Sequence, residues 1–404
     1  MKVRGRQLAL FGGVPLFDSP RPTGQLYSPD RSVFLERLDR ILEGRRFSNG
    51  GPFQEELESR LADWHAVDHV VAFGNASFAL IVLMRHLALE EKPNILLPSF
   101  SYRGLPHFIQ WAGKMPQFAD VDSDTHTLDV REVARHVSSG DIAMILAVNN
   151  VTGPAELDEI DRLSDEMGVP VVYDSVYAIA AEYRGKPFGG YGKAEVFSLH
   201  ATKLVNGFEG GYVTTNDAAL AEALRQIRNF GYDSTTPNIL HLGLNGKLNE
   251  IHAAMALSSL DQIDVALDHN KAILESYATG LNGNPWLQIK PSQAGMVSNN
   301  EMVLMEIAPE HPLDRDELLR LLQAEGILAR PYFSPPLHRS KNCPASARGA
   351  RLPIADELSE RFVQLPTGAF LSETDTSVIA SFLCDLTESA CDVRSALDRE
   401  GAVS

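Results

Sequence analysis

Three cysteines in 404 residues, Cys343, Cys384 and Cys391, are too few, and odd in number, to make a disulfide framework, and their spacing offers no metal quartet. Ordinary thiols are expected of them, and no metal. Nowhere does the chain reach the roughly 18 consecutive apolar residues that a membrane-crossing helix needs, so no membrane partner is expected. The opening MKVRGRQLALFGG has basic residues but no long apolar stretch ahead of a small-residue cleavage site, which argues against secretion and for the cytoplasm. Positive charge is scarce too: 36 Lys and Arg stand against 53 Asp and Glu, a formal net charge of -17. Such a surface repels phosphate backbones, which argues against nucleic acid as a partner.

What is present is an ordinary folded composition, 44% hydrophobic and 22% charged, with enough length for one large domain and a smaller companion. Short apolar runs read as buried strands at His69–Phe73, Ile95–Leu97, Gln117–Val121, Ile142–Val148, Val169–Tyr173, Glu195–Leu199 and Gly211–Thr215. Helical spacing lies between and before them, at Phe53–His65, Ser77–Ala88 and Glu156–Met167. That alternation predicts an α/β fold with a mostly parallel sheet covered by helices on both faces. After a long helix over Gln262–Leu281, the breaker cluster Asn282, Gly283, Asn284 and Pro285 marks a change. We therefore expect a large domain over 1–265 and a smaller α+β domain over 266–404. The latter should hold a strand at Met302–Ile307, a helix at Asp314–Glu325, the Pro-rich RPYFSPPLH stretch and a frayed tail beyond Asp392.

Two residues stand where open parallel sheets place their ligands. Asp174 closes the apolar strand of VYDS, and Lys203 follows the strand of FSLHATK. Alone, each reads as a solvated loop residue. Together they supply what pyridoxal phosphate needs: an amine to form an imine with its aldehyde, and an anion to keep its pyridine nitrogen protonated. Lys203, once released by a substrate, could also carry the proton as base and acid. Gly74-Asn75-Ala76-Ser77 lies between a strand and a helix, where backbone amides can cradle a phosphate, although a plain N-cap would satisfy the same pattern. Ser198 could add a hydroxyl. In PSFSY, Tyr102 is the candidate ring to stack on a flat cofactor and Phe100 the core alternative.

Read in order, GNAS, PSFSY, YDSVYA, FSLHATK, NGFEGG and LGLNGKLNE resemble the DegT/DnrJ/EryC1/StrS family of sugar aminotransferases over roughly residues 30 to 385. HATK followed by NGFEGG, with RPYFSPPLH further on, is similar to members acting at C4 of nucleotide-linked 4-keto-6-deoxyhexoses. The resemblance implies the aspartate aminotransferase-like fold type I and a homodimer with shared active sites. It makes Lys203 the Schiff-base lysine, Asp174 the pyridinium partner, Tyr102 the stacking ring, and Ala76, Ser77 and Ser198 phosphate contacts. It also implies that Asn245 reaches the phosphate of the other subunit, that His338 approaches the sugar nucleotide, and that Glu209 and Gly210 shape the turn after the lysine. An amino donor, glutamate, and a nucleotide-sugar acceptor follow as expected substrates in a ping-pong transamination. One departure is Tyr177, where the family usually has Gln or His bonded to the cofactor's phenolic oxygen; a second is Ala76, where many members have glycine. A branch of the family with histidine in place of the lysine performs dehydration, so Lys203 favours amino transfer. The alternatives are a non-sugar acceptor such as a cyclitol ketone, or a binding protein that has lost catalysis.

Overall fold

The computed structural model describes residues 1–233, 235–341, 343 and 349–401. Its central element is a sheet whose strands we label β1 (His69–Phe73), β2 (Asn94–Pro98), β3 (Met115–Ala119), β4 (Ile142–Val148), β5 (Val171–Asp174), β6 (Ala194–Ser198) and β7 (Gly211–Thr215). Their order across the sheet is β1-β7-β6-β5-β4-β2-β3. The pairs from β6 to β3 are parallel, and β7 runs antiparallel to both β6 and β1. The two-residue period of a strand explains how these runs bury both faces. Val70 and Ala72 of β1 enter one core while Val71 and Phe73 enter the opposite one, and β4 divides Ile145 and Ala147 from Met144, Leu146 and Val148 in the same way.

Helices Pro52–His65, Leu157–Met167 and Glu250–Leu260 cover the first face; Ala76–Leu87, Leu105–Trp111 and Ala218–Ile227 cover the second. Each fully buried aliphatic side chain contributes about 1.5–3 kcal/mol relative to exposure, so these layers supply the main drive for folding. The helix Pro52–His65 starts at Gly51 with proline in its first turn. Its Phe53 and Gln54 amides donate to the buried Glu250 carboxylate, both at 2.9 Å, so one helix's first residue satisfies the exposed amides of another.

A second sheet, β8 (Leu287–Ile289), β9 (Val303–Ile307), β10 (Arg330–Pro331) and β11 (Phe362–Leu365), is antiparallel in the order β8-β9-β11-β10. Its separate core extends across helices Ile263–Gly280, Arg315–Ala324 and Glu373–Glu388. Two features differ from the sequence reading. Val3, Leu8 and Phe17 belong to this second core rather than to the large sheet, so the small unit recruits residues from before position 18. As far as the described residues run, the stretch after Asp392 is not frayed: Ala390–Gly401 is helical and buries Val393 and Leu397, an anchor that a short charged stretch conceals, while positions 402–404 of the expected frayed tail lie outside the described residues. No helix among the described residues is long and apolar enough to cross a membrane.

Candidate active site

A cleft of about 380 Å³ opens along the carboxyl edge of β6, β5 and β2, bordered by residues that precede β9. Parallel strands that end together place the residues following them at one edge, the geometry that open α/β sheets use for ligands. Asp174 ends β5, Ser198 ends β6, and Lys203 follows in the turn. The β1 strand leads through Gly74 and Asn75 into the helix Ala76–Leu87, whose Asn75 side chain accepts from the Phe78 amide at 2.8 Å. The Ala76 and Ser77 amides belong to the opening turn, where a helix offers N–H groups without intrahelical partners. Gly211 is required beside them, because a Cβ there would lie 2.4 Å from the Ala76 nitrogen.

Asp174 is 2% exposed, and among the described residues its carboxylate receives a single hydrogen bond, from the Val176 amide at 3.3 Å. Burial pushes its carboxyl up to about 6, against the smaller opposing effects of that amide and of the Lys203 charge. The Lys203 amine is held below the usual lysine value, chiefly by burial, with Glu301 and then Asp174 pulling it back up. Its Nζ lies 3.3 Å from the centroid of the Tyr177 ring and 3.9 Å from Glu301 Oε1. Tyr177 therefore faces the lysine with its ring; burial is the main reason its phenol is raised above the ordinary tyrosine range.

Of the residues singled out in the sequence, Ala76, Ser77, Tyr102, Asp174, Tyr177, Ser198, Lys203, Glu209 and Gly210 border this one cleft. Tyr102 is half exposed, as a ring that is to meet a ligand needs to be, whereas Phe100 is fully buried against Tyr332 and Phe333. Asn245 is exposed, pairs its backbone with Asn229 and does not border its own chain's cleft.

His338 does not come to the cleft of its own chain, contrary to the substrate contact expected of it. Its side chain is sealed from solvent, with Nδ1 2.7 Å from Ser99 Oγ and Nε2 3.2 Å from Asp356 Oδ1. This serine, histidine and aspartate cannot act on a substrate, since Ser99 is fully buried. They tie the turn after β2 to the Leu337–Arg339 segment, and the Leu337 amide donates to the Ser99 carbonyl at 2.8 Å. A histidine in a Pro-rich loop offers no sequence signal that separates a tie from a ligand. Sequence reasoning also missed Glu301, His200 and Arg330, which border the cleft. Glu301 precedes a strand that is distant in sequence from Lys203, and no local pattern links the two.

Known proteins match the chain over nearly its whole length. The model of the DegT/DnrJ/EryC1/StrS aminotransferase family matches residues 30–383. A dTDP-4-amino-4,6-dideoxy-D-glucose transaminase of Escherichia coli is 30% identical over 366 residues, covering 88% of this chain and 96% of that protein. A GDP-perosamine synthase of Caulobacter vibrioides is 28% identical over 364 residues, with 88% and 94% covered. The crystal structure of DesI with its TDP-sugar product superposes with a TM-score of 0.90 at 35% identity, covering 97% of this chain and 98% of that one.

Proposed function

Because this chain belongs to the DegT/DnrJ/EryC1/StrS aminotransferase family, we propose that it moves an amino group from an amino acid, glutamate, to the ketone of a nucleotide-linked deoxysugar. It is a pyridoxal-phosphate-dependent aminotransferase of fold type I. The observation that carries the reading is a buried amine and a buried, under-bonded carboxylate meeting in one cleft beside an open helix N-terminus. These residues fit the cofactor. Asp174 has almost no internal donors for its charge, which suits it to a cationic ring nitrogen. When bound, pyridoxal phosphate supplies an aldehyde for amines and an electron-poor ring that stabilises negative charge on the adjoining carbon.

The chain's own groups do the rest. Asp174 holds the proton on the pyridine nitrogen, and Lys203 Nζ takes and returns the proton at the substrate carbon. The Ala76 and Ser77 amides with the Ser198 hydroxyl bind the phosphate, and Tyr102 covers one face of the ring. The sugar-nucleotide reading is supported by the relatives, which are named for dTDP- and GDP-linked sugars. We further propose a homodimer in which Asn245 serves the partner's cleft. The exposed Tyr232, Ile239, Leu240 and Leu242 beside it support such a contact, since a patch of this kind calls for cover.

The test is spectroscopic. Purified protein supplied with pyridoxal phosphate should gain visible absorbance that Lys203→Ala abolishes, and glutamate should bleach it. Aminated product should then form with a nucleotide-linked keto sugar and not with a cyclitol ketone. Failure to take up the cofactor, or full turnover in Lys203→Ala, would end the reading.

A further inference from the structure

Lys203 shares its chamber with a second buried acid that the scheme above does not use. Glu301 is 2% exposed, and its Oε1 lies 3.9 Å from Lys203 Nζ. Its other oxygen accepts from the amide of Leu204, the residue after the lysine, at 3.3 Å. The backbone of Glu301 is pinned on both sides. Its amide donates to Asn299 Oδ1 at 3.0 Å, and its carbonyl receives Gln25 Nε2 at 2.7 Å and Thr367 Oγ1 at 3.0 Å. The Asn299 side chain in turn donates to the carbonyls of Tyr177 and Ile179, at 3.0 and 2.9 Å, holding the turn that follows Asp174. A carboxylate fixed from so many directions, with almost no access to water, is expensive unless it has work to do beside the amine.

We propose that Glu301 is the proton partner of Lys203, taking the ammonium proton from Nζ onto Oε1 so that the amine is neutral when it forms its imine and when it acts as base, and giving it back when the amine is idle. The exchange balances within the pair: ammonium and carboxylate become amine and carboxylic acid, with no other reactant. The inference rests on Lys203 being the reactive amine of the aminotransferase. It separates Glu301 from Asp174, which the ring nitrogen occupies once the cofactor is in place.

Burial favours the exchange from both directions, because it raises the Glu301 carboxyl and lowers the Lys203 amine, bringing their proton affinities together. The groups facing Nζ are Glu301, Asp174 and the Tyr177 ring; His200, Glu209 and Arg330 border the same cleft further out.

The experiment uses the cofactor-free protein, so that it does not depend on turnover. The rate at which Lys203 is acetylated by acetic anhydride is followed against pH by peptide mass spectrometry in wild type, Glu301→Gln and Glu301→Asp. Loss of the carboxylate should lower the midpoint of Lys203 by about one pH unit or more, the effect expected of an opposite charge at this distance. Glu301→Asp should lie between the other two, and it keeps the test alive if the glutamine variant does not fold. With cofactor, Glu301→Gln should lower kcat at least tenfold and leave KM for the sugar nucleotide within twofold. Coincident midpoints in all the folded proteins would overturn the proposal, as would a midpoint shift accompanied by unchanged kcat. Neither result would touch the aminotransferase reading, which fails separately if the cofactor does not bind.

Discussion

Two carboxylates sit near neighbouring strands of the central sheet, both cut off from water, and they have opposite surroundings. Glu195, on β6, is fully buried and fully bonded: it accepts from Ser175 Oγ at 2.5 Å, the Gly189 amide at 2.6 Å and the Tyr191 amide at 3.0 Å. The Asp174 carboxylate, at the end of β5, has among the described residues the single Val176 amide and borders the cleft. Burial is the main reason that both are raised, Asp174 to about 6 and Glu195 to about 7, so altered acidity does not distinguish them. What distinguishes them is the list of unfilled partners. A satisfied buried acid knits a turn, whereas an unsatisfied one beside a cavity waits for a ligand.

The sharpest way to break this contrast is Asp174→Asn, which keeps size and removes charge. Turnover should fall on the order of 10²–10³-fold, as when a preorganised electrostatic group is lost. The cofactor-free protein should unfold in denaturant at pH 7 no more easily than wild type; a large loss of stability would place Asp174 with Glu195. The converse substitution, Glu195→Ala, strands a hydroxyl and two amides and should cost about 2–4 kcal/mol in chemical denaturation. Turnover per folded molecule should stay within a few-fold.

A smaller effect is the pH dependence. Both folded carboxyls are raised above their unfolded values of 3.8 and 4.5, so the stability they contribute is complete at low pH. It is lost as pH rises through about 6 for Asp174 and about 7 for Glu195. His65 acts in the opposite sense. Burial lowers its imidazole from 6.5 to about 4, so its contribution disappears as pH falls through that interval. Denaturation of the cofactor-free protein between pH 5 and 8 should show a decline toward high pH that weakens in Asp174→Asn and in Glu195→Gln. The smallest effect is expected for Ser99→Ala. It removes the hydroxyl held by His338 and should cost about 1 kcal/mol. If His338 were instead a substrate ligand, the same substitution would raise KM for the sugar nucleotide with stability unchanged.

The large sheet was legible because its strands are buried on both faces, and a run such as Ile142–Val148 can satisfy that requirement in few other ways. Strand ends were less legible. The run read as Gln117–Val121 pairs at Met115–Ala119, because the ladder with β2 and not hydropathy decides where it starts. Asp174 and Lys203 could be paired in advance because one ends a strand, the other follows one, and their chemistry is complementary. Glu301 and the burial of His338 could not, since each depends on contacts between residues far apart in the chain, for which no local period exists.

The packing of Val3, Leu8 and Phe17 against residues far along the chain bears on how the molecule is assembled and handled. The second core has no complete sequence of its own to condense from: it must wait until residues near position 10 meet residues near 320, which is a slow search. A fragment starting at residue 266 would lack three of the side chains that fill its interior, so it should be made only together with a peptide that covers the first seventeen residues.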